Sequence, residues 1–179
     1  MTGVRTQNVR LVSGNLTLEG VLHLPASSPS PAVAVCHPHP LQGGNMHNNV
    51  VVAICGAAAE RGIAALRFNF RGVGGSEGSF GDGVGERADA DAALAHLRQL
   101  PEVEQHRVGI VGYSFGAAVA LLVVGEDDQI APSSRVASLL PFVGPKAELV
   151  VVPGADHFWW GAQDRLAAIV TDFLATTLL

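Results

Sequence analysis

The chain has 179 residues, 48% of them hydrophobic and 15% charged, with a formal net charge of −5. That length and apolar share predict a single domain, 1–179, built round one sizeable core. An acidic balance without a Lys/Arg cluster argues against nucleic acid or an anionic membrane as a partner; the opening MTGVRTQNVR has no apolar leader and no later stretch reaches spanning length, so a cytoplasmic location is expected.

Leu16 to Leu24 (LTLEGVLHL) alternates apolar and polar residues, which predicts a half-exposed antiparallel edge strand. Ala26 to Pro31 reads as a surface loop, because too few residues precede it to fold alone. Ala32 to Cys36, Ile63 to Phe70, Val108 to Val111 and Leu149 to Val152 are short, nearly continuous apolar runs, as strands covered on both faces of a parallel sheet require. Helical patterns lie between them. The first runs from Asn49 to Arg61 and stops at Gly62; the second runs from Glu86 to Leu100 with Ala90, Ala93, Leu94 and Leu97 on one face; the third runs from Asp164 to the end with Leu166, Ile169, Val170, Phe173 and Leu174 on one face. Strands alternating with helices predict an α/β fold with a doubly wound, mostly parallel sheet. Cys36, in a strand, and Cys55, in a helix, sit among apolar residues and read as buried thiols rather than a disulfide. The chain has no internal repeat.

Gly112-Tyr113-Ser114-Phe115-Gly116 closes one of the apolar strands and opens an alanine-rich run. A serine nucleophile is mounted in this way on a sharp strand-to-helix turn, with glycines where side chains would collide. Later in the chain an acid-bearing loop, Gly125 to Pro132, is followed by His157 just past the last strand, in the order nucleophile, acid, histidine. With CHPHPLQGGNM at 36–46, RFNFRGVGGSEG at 67–78 and GADHF at 154–158 in the same order, the chain resembles the α/β-hydrolases over nearly its whole length. More narrowly, it is similar to their small, lidless, dienelactone-hydrolase-like group.

That resemblance implies an α/β-hydrolase fold and a serine hydrolase that needs no cofactor. Ser114 would attack an acyl carbon, His157 would take and return the proton, and an aspartate would orient the imidazole. The family's loop reads Gly, two residues, Asp, then Pro four residues on, which selects Asp128; Asp127 is the runner-up, and Asp156 adjoins His157 too closely in sequence to face it. The oxyanion would be held by the backbone N–H of Phe115 and that of His39, Pro40 having none to offer. With no room for a helical cap, the site is expected to be open and to suit small carboxylic esters. Peptide or thioester cleavage would use the same triad, and a hydrolase fold that binds without catalysing is a different class of answer.

Other readings attach to the same motifs. His37, His39 and His47 have zinc-like spacing, but no acid or further histidine nearby completes a site, so no metal is expected. Arg71 to Gly78 resembles a phosphate loop without its Gly-Lys-Ser/Thr ending and reads better as a turn lining the floor of the site. Phe158, Trp159 and Trp160 either wall an acyl pocket or pack on the last helix.

One feature conflicts with the family pattern. Ser114 and Gly125 are eleven steps apart, whereas a parallel crossover needs about a dozen residues besides its strand, so the fold is expected to be shortened after the nucleophile helix. A helix from Phe115 to Val124 would deliver Asp128 to the wrong end of the sheet and leave a Ser–His dyad. Three routes would still bring Asp128 to His157: a segment omitted from the numbering, a short extended return, or exchange of this element within a homodimer.

Overall fold

The computed structural model describes residues 3–116, 121–137 and 148–178. Seven strands are seen among them: β1 (Arg5–Ser13), β2 (Leu16–Leu24), β3 (Ser30–Cys36), β4 (Ala64–Phe68), β5 (Val103–Gly112), β6 (Leu121–Gly125) and β7 (Glu148–Val152). The helices are α1 (Asn49–Glu60), α2 (Val84–Gln99), the short α3 (Ser133–Ala137) and α4 (Gln163–Leu178). Five strands form one sheet in the order β1-β2-β4-β3-β5, and β6 and β7 form a second ladder. The pairs β3–β4, β3–β5 and β6–β7 are parallel; β1–β2 and β2–β4 are antiparallel. The mostly parallel α/β architecture is therefore the expected one.

The expected edge strand is a correction. β2 is antiparallel but lies inside the sheet, because β1 pairs along its whole outer side from Arg5↔Leu24 to Ser13↔Leu16. β1 carries RTQNVRLVS and is largely exposed, so it lacks the apolar signal of the strands behind it and is held by its backbone ladder.

β3 shows how the core is layered. All seven of its residues are buried. Val33 and Val35 point to a cluster with Val50, Val51 and Ile54 of α1 and Leu166, Val170 and Leu174 of α4. Ala32, Ala34 and Cys36 point to the other face, against Ala93 and Leu97 of α2 with Leu11, Leu18, Leu66 and Phe68. Period-two alternation thus feeds two cores, and each fully buried Leu, Ile, Val or Phe contributes roughly 1.5–3 kcal/mol. The Asn48 side chain caps α1 by accepting from the Val50 and Val51 amides at 3.0 and 3.4 Å. Among the described residues, no helix is long and apolar enough to cross a membrane.

The turn after β4 is fastened to α2 by charge. Asp89, fully buried, accepts from Arg71 Nε and Nη2 at 3.0 and 2.8 Å, from the Arg71 amide at 3.0 Å and from Ser13 Oγ at 2.7 Å. Burial alone would raise the Asp89 carboxyl, but these hydrogen bonds bring it below the usual range. The pair contributes most above the ordinary carboxylate range, near pH 4, and its contribution fades as pH falls through the depressed value. Asp89→Ala leaves the guanidinium of Arg71, 20% exposed, without its partner. The variant is expected to lose about 3 kcal/mol of unfolding free energy by denaturant titration at pH 7, with the gap from wild type shrinking in acid.

Candidate active site

Four loops, those after β3, β5, β6 and β7, meet at one edge of the sheets, each following a strand that runs parallel to its partner. Cys36 pairs with Gly112 at the ends of β3 and β5, and Gly125 pairs with Val152 at the ends of β6 and β7, so the residues after each strand emerge on a common side. Ser114 follows β5 in a tight turn with φ +55°, a left-handed conformation that costs a non-glycine residue of order 1–2 kcal/mol. The turn is held by Tyr113 N–H to Cys36 O (3.1 Å) and Gly116 N–H to Tyr113 O (3.0 Å). A Cβ on Gly116 would lie 2.6 Å from the Cys36 carbonyl oxygen, so the second glycine of the motif is required by close packing on β3.

Ser114 Oγ lies 3.2 Å from His157 Nε2, and His157 Nδ1 lies 2.9 Å from Asp128 Oδ2. Asp128 is buried, and its other oxygen accepts from the Ile130 and Ala131 amides at 2.9 and 2.7 Å, which fixes the carboxylate plane. The acceptor at Nδ1 assigns the proton there and leaves the Nε2 lone pair facing the serine. The Tyr113 hydroxyl donates to the His157 backbone carbonyl. Burial first, then the charges of Asp128 and Asp156, push that phenol up to about 12, so it remains a donor. The Asp127 backbone amide donates to Ala155 O and Asp156 Oδ1 accepts the Phe158 amide, while the carboxylate hydrogen-bonded to the imidazole is that of Asp128.

Asp128 meets His157 within one chain, so exchange between two chains is not needed for the contact. Residues 117–120, where the nucleophile helix was expected, lie outside the described residues. A helix extending to Val124 is not formed, because Leu121–Gly125 is a strand. That strand runs parallel to β7, which carries Asp128 to the same end as His157.

The loop after β3 bends back on itself. The Gln42 and Gly44 amides donate to the His39 carbonyl, the Gly43 amide to Pro40 O, and the Leu41 amide to His39 Nδ1. The His39 ring packs against Phe115 and Phe80, at centroid separations of 4.9 and 5.1 Å. Both nitrogens of His37 are engaged: Nε2 accepts from the Phe70 amide at 3.1 Å, and Nδ1 donates to Pro38 O at 2.6 Å. His47 Nδ1 accepts from Arg67 at 3.2 Å. The three histidines do not converge, and no metal-ligating cluster occurs among the described residues.

Of the three residues after the imidazole, only Trp159 is core, packed with Leu166 and Val170 of the last helix. Phe158, 54% exposed, stands edge-on to His157 at 5.6 Å, and Trp160 is 75% exposed. The Gly-rich segment is a turn, as expected, but the hollow it lines includes none of Ser114, Asp128 and His157. Gly72 to Gly74 line an open hollow of about 600 Å³ with Glu19, Asn45, His47 and Asn69. Tyr113, Arg67, Asn69 and Glu19 all lie within recognisable sequence segments, but their roles are not legible there because their partners are distant in the chain.

Burial lowers three histidines, His23, His37 and His96. Burial, with the Arg67 charge, lowers His23 from 6.5 to about 4; burial lowers His37 to about 4 against the opposing pulls of Pro38 O and Glu86. Between those values the unfolded chain binds protons that the folded chain does not, so stability rises with pH and falls on acidification from about 6.5 to about 4. Melting temperatures measured from pH 7 to pH 4 should decline across that interval, with a shallower decline in His23→Gln.

The family model described as X-Pro dipeptidyl-peptidase (S15 family) matches residues 14–140. An uncharacterised protein of Rickettsia prowazekii is 32% identical, over 84% of this chain and 82% of its own length. Among solved structures, two at 28% identity match over nearly the whole chain. The α/β serine hydrolase homologue from Coxiella burnetii has a TM-score of 0.84, over 97% of this chain and 98% of that one. The serine hydrolase without a lid from Xanthomonas campestris has a TM-score of 0.85, over 97% of this chain and 95% of that one.

Proposed function

Since the chain belongs to the α/β serine hydrolases, within the S15 family, we propose that it cleaves small carboxylic esters through an acyl-enzyme on Ser114. His157 takes the Ser114 proton as Oγ attacks the carbonyl and delivers it to the departing alcohol; water then repeats the sequence and frees the acid. Asp128 keeps the imidazole in the productive tautomer and stabilises it when charged. The observation that carries this reading is the unbroken line from Ser114 Oγ through both ring nitrogens to a buried carboxylate.

The developing oxyanion is assigned to the Phe115 and His39 amides. Within residues 38–44, support for His39 comes by elimination: Pro38 and Pro40 have no N–H, and the amides from Leu41 to Gly44 all donate within the loop. The reading includes no cofactor and no metal, a small-molecule substrate rather than nucleic acid or membrane, and a cytoplasmic setting.

Peptide-bond cleavage is a second reading, favoured by the description of the family. Incubation with a fluorophosphonate and with p-nitrophenyl acetate or butyrate tests the first reading: an adduct on Ser114 and turnover are expected, and the absence of both overturns it. Turnover of an Xaa-Pro anilide in preference to the esters would move the substrate to the second.

A further inference from the structure

We propose that the end of β4 grips the loop bearing the His39 amide at both ends, with Asn69 as the positioning residue of that grip; the inference rests on the ester-hydrolase reading above. At the incoming end, the His37 ring spans from the Phe70 amide to the Pro38 carbonyl. At the outgoing end, one residue is held on both sides of its backbone: the Met46 amide donates to Asn69 Oδ1 at 2.7 Å, and the Met46 carbonyl accepts from Arg67 Nη1 at 3.1 Å. Three of four successive residues, 67, 69 and 70, therefore clamp a loop that begins thirty positions earlier.

Asn69 is 2% exposed and its amide can sit only one way round. Nδ2 donates to Glu19 Oε1 at 2.7 Å, and that oxygen also accepts the Gly75 amide at 2.7 Å, so the Asn69 oxygen is left to face Met46. Between its anchors the loop is closed. A Cβ on Gly44 would lie 2.1 Å from the Pro38 carbonyl oxygen, and the Gly44 amide donates to the His39 carbonyl at 3.0 Å. Movement at Met46 is passed two residues back to Gly44 and across that contact to His39. Oxyanion stabilisation depends on donors fixed before the charge appears, so a shift of about 1 Å is enough to lower turnover by about 10²-fold.

The test pairs kinetics with hydrogen exchange. In Asn69→Ala, kcat for p-nitrophenyl acetate is expected to fall about 10²-fold with KM within a few-fold, while amides of 38–48 exchange faster. Asn69→Asp sets a second carboxylate against Glu19 and should be similarly impaired. Adding Glu19→Gln removes the repulsion between the two carboxylates, although the Gly75 amide then loses its acceptor, and should recover part of kcat, a rescue that general loss of packing does not give. Should Asn69→Ala fail to fold, Asn69→Ser, with its acceptor on a shorter arm, gives the same comparison. Unchanged exchange in 38–48 overturns the grip; faster exchange with unchanged kcat overturns its role in positioning. A wild-type protein that neither labels at Ser114 nor hydrolyses esters overturns the hydrolase reading instead, and the exchange comparison still decides the grip.

Discussion

Ser114→Ala is expected to lower ester turnover by about 10⁴-fold or more, leaving only what substrate binding and the backbone donors supply. Removing Oγ deletes the atom that forms the acyl bond and the hydroxyl donor to His157 Nε2. The neighbouring geometry should survive, because the turn is held by main-chain bonds from Tyr113 and Gly116 rather than by the serine side chain. Stability should therefore move little while kcat collapses, and intact-mass measurement should find the fluorophosphonate adduct on the wild type alone. Turnover by the variant at wild-type rate would remove Ser114 from the chemistry.

Asp128→Asn is nearly isosteric, yet a loss of about 10⁴-fold in kcat is expected. The Ile130 and Ala131 amides both donate to Oδ1, so an asparagine must keep its oxygen there and present its NH₂ to His157 Nδ1. A donor facing Nδ1 drives the ring proton to Nε2, where it meets the Ser114 hydroxyl and cannot accept from it. Thermal melting checks that the fold is kept. A loss below about tenfold, on a scale where an orienting carboxylate contributes several orders of magnitude, would exclude Asp128 from the mechanism.

The parts of this architecture that were legible in the sequence are those whose signal is local. β3, β4, β5 and β7 announce themselves as apolar runs, although only β3 and β4 are buried nearly throughout while β5 is partly buried and Val151 of β7 is exposed, and Ser114, Asp128 and His157 lie in short motifs whose spacing is part of their geometry. β1 could not be read. Its residues are mostly exposed, and only backbone pairing with β2 makes it a strand, which is also why β2 reads as an edge in the sequence. Leu121 to Gly125 fits helix or strand equally well by apolar content; its parallel partner β7, more than twenty residues away, settles the choice. His37 illustrates the same limit. Spacing offered it as a metal ligand, whereas its ring is committed to an amide 33 positions on.

The two cysteines fall on opposite sides of the central sheet, Cys55 with α1 and Cys36 with the α2 layer. Burial, with the Asp89 charge for Cys36 and against the Arg67 charge for Cys55, pushes both thiols up to about 12. At pH 7 that leaves a thiolate fraction of order 10⁻⁵, so an alkylating reagent finds almost nothing to attack while the layers stay shut. Each thiol is thus a clock for the opening of its own layer. Equal modification rates at the two positions would mean that the molecule comes apart as one unit, and unequal rates would date which side lets go first.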